Sequence, residues 1–206
     1  MRDLANNKAF LVLGFFMWLV STSAIATEVK QAQLSLQGNR YVLSADIDYQ
    51  LSDKAKEALE NGVPLFWALR IKVLQQRQAL WAKTVVDMTI RYRIQYHALL
   101  NMYRVMIIQP TLANSDTHSE QDSNSYNFST LSAALDLMAT VRNIPIISAA
   151  EIKPDKHYFM QIKANFDRDA LPLPLQPIAY TNPQWYLSSD WTTWDLLPVP
   201  NTQGKP

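Results

Sequence analysis

The chain has 206 residues, with 19 basic and 18 acidic side chains, three histidines and no cysteine. The missing cysteines exclude disulfide frameworks, thiolate metal sites and a cysteine nucleophile. The near-neutral charge gives none of the basic excess that marks a nucleic-acid-binding domain, so no nucleic-acid partner is expected.

The first 26 residues read as an address. Arg2 and Lys8 flank a short polar start, Ala9–Val20 is an apolar run broken by one glycine, and Ala24-Ile25-Ala26 gives a small-x-small end. This is the three-part layout of a secretory signal peptide cut between Ala26 and Thr27. The apolar run is shorter than the roughly 20 residues a spanning helix needs. The expectation is export to the periplasm, with a retained inner-membrane anchor as the alternative, since Phe, Met and Trp make the run strongly hydrophobic. Only in that second case is the membrane itself a partner. Cleavage would leave Thr27–Pro206, long enough for one domain with its own core.

Alternation of period two dominates the remainder of the chain. Ala32, Leu34 and Leu36 alternate with polar residues, and Gly38-Asn39 supplies a two-residue hairpin turn. The return strand carries Tyr41, Leu43, Ala45, Ile47, Tyr49 and Leu51 on one face and Ser44, Asp46, Asp48 and Gln50 on the other. Ser52 is a good N-cap, Asp53 suits the positive first turn and Asn61-Gly62 ends a short helix. A strand comes next on Leu65, Trp67, Leu69, Ile71 and Val73, with a turn at Gln75–Ala79. A long strand from about Leu80 to Tyr96 then alternates Val86, Met88, Ile90, Tyr92 and Ile94 with Asp87, Thr89, Arg91 and Arg93. After a turn at His97–Asn101, Met102–Gln109 returns until Pro110, where a strand is expected to stop.

Thr111–Asn127 is almost wholly polar and has no period, so a mobile loop is expected. Thr130 or Ser129 caps a second helix over about Leu131–Arg142, and Ile144–Ile147 reads as a short edge strand. The last long strand alternates Tyr158, Met160, Ile162, Ala164 and Phe166 with polar residues. Leu171–Pro177 is proline-punctuated and reads as an extended polyproline strap, and the tail at residues 196–206 is expected to fray. The fold expected is a single α+β domain, predominantly antiparallel β: six to eight strands in a curved sheet or β-sandwich with two short helices.

The chemistry-bearing groups are sparse. Asp46 and Asp48 share a strand face, and the plain reading is a solvated face paired with Arg70, Lys72, Arg91 or Arg93. Those four cations and Arg104 would form one basic stripe if their strands are neighbours; an evenly mixed face is the alternative. Trp185, Trp191 and Trp194, with Tyr186, would make either an aromatic interaction platform or a plug for the end of the core. His97, His118 and His157 have no metal-ligand spacing, so neither a metal site nor a cofactor is expected. Ser188-Ser189-Asp190 offers a nucleophile and an acid, but adjacent residues point apart and no histidine is placed as base. No catalytic residue is assigned, and Arg70, Arg91, Arg93, Trp185, Trp191 and Trp194 stand as interaction candidates.

An ordered set of short motifs carries a resemblance. It runs from Leu43-Ser44-Ala45-Asp46-Ile47-Asp48-Tyr49-x-Leu51-Ser52 to Glu57-Ala58-Leu59-x-Asn61-Gly62-Val63-Pro64-Leu65 and Tyr96-His97-x-Leu99. It continues through Phe128-x-Thr130-Leu131-x-x-Ala134-Leu135, Leu171-Pro172-x-Pro174-Leu175 and Leu187-Ser188-Ser189-Asp190-Trp191. Over about residues 30 to 195 the chain resembles a domain-of-unknown-function family of exported proteobacterial proteins, many encoded beside an NtrY-like membrane sensor histidine kinase. The resemblance implies no activity and no functional residues. Together with the residues, it leads to the expectation of a non-catalytic periplasmic interaction protein, accessory to such a kinase. The alternative expectation is a carrier of a small apolar ligand or lipid, held in a cavity lined by Trp67, Met88, Tyr92 and Met160.

Overall fold

The computed structural model describes residues 27–77, 81–112 and 123–196, with backbone only at 109–112. The expected signal peptide, the frayed tail beyond Leu196 and the middle of the polar segment lie outside the described residues.

Among the described residues, nine strands form two antiparallel sheets. Strand β1 (Glu28–Gln37) turns through Gly38, at φ +59°, into β2 (Arg40–Asp48), so the expected hairpin is present. Helix α1 (Asp53–Glu60) leads to β3 (Leu65–Gln75), β4 (Lys83–His97) and β5 (Met102–Leu112), then β6 (Ser123–Phe128). Helix α2 (Leu131–Ala139) runs straight into β7 (Thr140–Ser148), and β8 (Tyr158–Phe166), helix α3 (Gln176–Thr181) and β9 (Thr192–Leu196) are the last of the described elements. Single 3₁₀ turns occupy Ala149–Glu151 and Pro183–Trp185. The smaller sheet has the order β1-β2-β7 and the larger β6-β5-β4-β3-β8-β9.

The inner faces meet in one buried cluster. Tyr41, Leu43, Ala45 and Ile47 of β2 share it with the alternating apolar sets of β3, β4 and β8. Period two along each strand is what delivers this: every second side chain points at the core. Trp67 is its largest fully buried side chain, flanked by Tyr49 at 5.7 Å and Phe166 at 4.9 Å between ring centroids. Trp67, Met88, Tyr92 and Met160, expected to line a cavity in the carrier reading, all belong to this packed cluster.

Several local expectations are corrected. Strand β5 does not stop at Pro110 but runs to Leu112. Its register against β4 shifts between Thr89↔Thr111 and Arg91↔Ile108, so the proline sits at a β-bulge, beyond the stretch of β5 that β6 pairs. The polar segment is shorter than 111–127, because Ser123–Phe128 is an edge strand on β5. The expected polyproline strap is not formed: the Leu175 N–H donates to Pro172 O at 2.8 Å in a turn, and α3 follows with Pro177 in its first turn, where a missing N–H costs nothing. The second helix also ends earlier than Arg142, since Thr140 and Val141 pair with Asp46 and Ala45 as strand.

Candidate functional site

The larger sheet buries one face and turns the other outward. On β3 the outward residues are Phe66, Ala68, Arg70, Lys72 and Leu74, between the buried Leu65, Trp67, Leu69, Ile71 and Val73. The register then assembles the rest: Phe66 lies opposite Arg93, Ala68 opposite Arg91, Arg70 opposite Thr89 and Lys72 opposite Asp87. On the other side of β3, Arg70 lies opposite Lys163 and Lys72 opposite Gln161. Beyond β4, Gln95 faces Arg104, Arg93 faces Met106 and Arg91 faces Ile108. Six cations therefore share one face of four adjoining strands. The basic stripe forms because β5, β4 and β3 are neighbours, with β8 adding Lys163.

Among the described residues, one carboxylate makes ion pairs with them. Asp87 is 3.4 Å from the Arg70 guanidinium and 3.6 Å from Lys72 Nζ. Arg93 donates instead to the neutral Gln95 Oε1 at 2.8 Å, and Arg104 Nε to Asn127 Oδ1 at 3.0 Å. Aromatic rings supply the other neighbours: Arg93 lies 5.7 Å from the Phe66 ring and Lys72 5.3 Å from that of Trp191. Arg91 is exposed and, among the described residues, has no ion pair. The face thus carries several cations that have no ion pair among the described residues, beside apolar and aromatic surface.

Asp46 and Asp48 do not belong to it, which corrects their expected pairing with Arg70, Lys72, Arg91 or Arg93. They lie on β2 in the other sheet. Asp46 takes hydrogen bonds from Gln31 and Arg142, which hold its carboxyl below the usual range, and Lys30, 2.8 Å from Asp48, acts on that residue in the same way. These contacts tie β1 and β7 to β2. A polar groove of about 330 Å³ lies along Gln31, Gln33, Asp46 and Arg142 at the surface of this sheet.

The aromatic platform divides. Trp191 is exposed and reaches the basic face through Lys72. Trp185 is corrected: it is 3% exposed and stacks on Phe166 in the core. Trp194 is corrected as well, since it packs partly buried against the core from the inner side of β9. The plug reading holds for these two. Spacing alone did not separate them from Trp191, because the 3₁₀ turn at Pro183–Trp185 and the start of β9 set which way each ring points.

Ser188 and Ser189 have a structural task that the sequence did not reveal. Ser189 Oγ accepts from the Ala164 N–H at 2.9 Å, and Ser188 Oγ accepts from the Phe166 N–H at 2.9 Å. Strand β9 pairs β8 only as far as Ile162, so these hydroxyls satisfy the next two backbone donors on that side. Among the described residues, no group of three or more histidine, aspartate or glutamate side chains is placed to hold a metal ion.

A family model described as a domain of unknown function (DUF4390) matches residues 24–195. No curated protein and no solved structure matches the chain.

Proposed function

The chain belongs to that family of domains of unknown function, DUF4390, and we propose that it is an exported, non-catalytic interaction protein whose working surface is the outer face of the larger sheet. One observation carries this reading. Arg70, Lys72, Arg91, Arg93, Arg104 and Lys163 share that face, and among the described residues only Asp87 makes an ion pair with any of them. A field of one sign costs stability through mutual repulsion and is useful when it meets a surface of the opposite sign. Arginines beside Phe66, Met106 and Ile108, with Lys72 beside Trp191, suit an acidic protein segment, because guanidinium forks bind carboxylates while the flanking apolar area excludes water.

The partner we propose is the periplasmic part of a membrane sensor histidine kinase, following the family resemblance. The test is titration of that kinase segment with wild-type protein and with a double variant, Arg91→Glu with Arg93→Glu. Binding that weakens steeply with salt and is lost in the double variant is the expected result. Equal binding by both proteins, or none by either, would refute the assignment.

A further inference from the structure

Among the described residues, the strand register gathers most of the exposed large apolar side chains at one end. Leu65 pairs with Ile94 and Trp67 with Phe166, so the β4–β5 turn and the segment after β8 leave the sheet on the same side. Helix α1 is at that end too, since Ser52 Oγ donates to Gln184 O at 2.6 Å and Gln95 reaches Gly62 O at 3.2 Å. In the β4–β5 turn Leu99 is fully exposed and Leu100 is 59% exposed. In the segment after β8, Leu173 is 78% and Ile178 49% exposed. With Met102, Tyr180 and Tyr186, these make seven of the eleven exposed large apolar side chains among the described residues.

We infer that this end seats on a lipid bilayer surface. Three observations favour lipid over a protein partner. The apolar side chains stand on two chain segments far apart in sequence, the β4–β5 turn and the stretch after β8, and a bilayer accepts separate insertions without shape complementarity. Tyr180 and Tyr186 surround Arg168, whose guanidinium lies 4.5 Å and 5.3 Å from their rings. A tyrosine has an apolar body and a polar tip, and arginine a long stem with a charged head; both suit the headgroup layer. The chain also enters the fold at this end: Glu28 pairs with Asp48, which leads directly into α1. In the retained-anchor alternative, only residues 21–26 separate Thr27 from the apolar run Ala9–Val20, a reach of about 20 Å when extended.

Helix α1 carries Lys54 and Lys56 beside Asp53, Glu57 and Glu60, so insertion rather than headgroup charge is the source of the contact. This seating is independent of the arginine field. It would hold the sheet upright on the membrane, with its outer face free for a partner.

The absence of cysteine makes the test direct, because one introduced cysteine carries one label. The full chain, with a polarity-sensitive fluorophore at Leu99→Cys, Leu173→Cys or Gln76→Cys, is mixed with vesicles of phosphatidylethanolamine and phosphatidylglycerol. Gln76 is an exposed control at the opposite end of β3. Labels at 99 and 173 are expected to shift to the blue and to become shielded from iodide, while the label at 76 does neither. The pattern should survive Arg91→Gln with Arg93→Gln, which keeps this outcome separate from that of the kinase titration. Labels at 99 and 173 that remain as accessible to iodide as the one at 76 would overturn the inference. So would shielding that appears only when a second protein is added.

Discussion

Ser189 stands in for a strand. Its hydroxyl holds the Ala164 N–H in a site where the serine is 5% exposed, so water has little access to replace it. Ser189→Ala is expected to cost about 1–3 kcal/mol, the penalty of a buried donor left without a partner, read from the urea midpoint. Ser188→Ala should cost less, because its bond to Phe166 is only part-buried. A second residue-scale expectation concerns alkali. Burial pushes the Tyr92 hydroxyl up to about 12 and raises that of Tyr49 well above its usual value. Both phenols hold their protons longer in the folded state than in the unfolded one. Their contribution is therefore complete below about pH 10 and is lost as pH rises from there through the folded value. Stability measured from pH 8 to pH 12 should fall on the alkaline side, and Tyr92→Phe should flatten that limb. An unchanged slope in the variant would place the loss elsewhere.

At the level of elements, legibility tracked how local the determining physics is. Helix α1 was legible because its ends are set within a few residues: Ser52 Oγ accepts from the Ala55 N–H, and Gly62 takes φ +82°. The same hydroxyl also donates to Gln184 O, a contact 132 positions away that no local pattern announces. Ser52→Ala should therefore cost more than the ~1 kcal/mol of an ordinary N-cap, about 2 kcal/mol by denaturant titration. Strand β5 illustrates the opposite case. Pro110 reads as a stop, and the bulge that accommodates it arises from pairing with β4, which the sequence does not display. Helix α2 ended before Arg142 for a similar reason. Thr140 found a strand partner in Asp46, and the ladder prevailed over helical periodicity.

For the whole molecule, sequence alternation sorted the charges by face, but only strand order sorted them by sheet. Asp46 and Asp48 read as neighbours of the arginines until β2 was placed in the smaller sheet, leaving Asp87 among six cations. The directly opposed pair Arg70↔Lys163 shows the cost of the arrangement. Lys163→Glu should raise stability by about 0.2–1 kcal/mol, the value of an opposite-charge cross-strand pair over a like-charged one, measured at low salt. If the face is the partner site, the same substitution should weaken kinase binding, so stability and affinity should move in opposite directions. Unchanged stability would mean that Arg70 is already satisfied by Asp87. The two serines bound to the β8 margin have a further consequence at this scale. An extended segment from another molecule that approached β8 beyond Ile162 would find the Ala164 and Phe166 donors already engaged by hydroxyls. Side chains on a loop thus close part of an open sheet margin that would otherwise offer itself to a foreign strand.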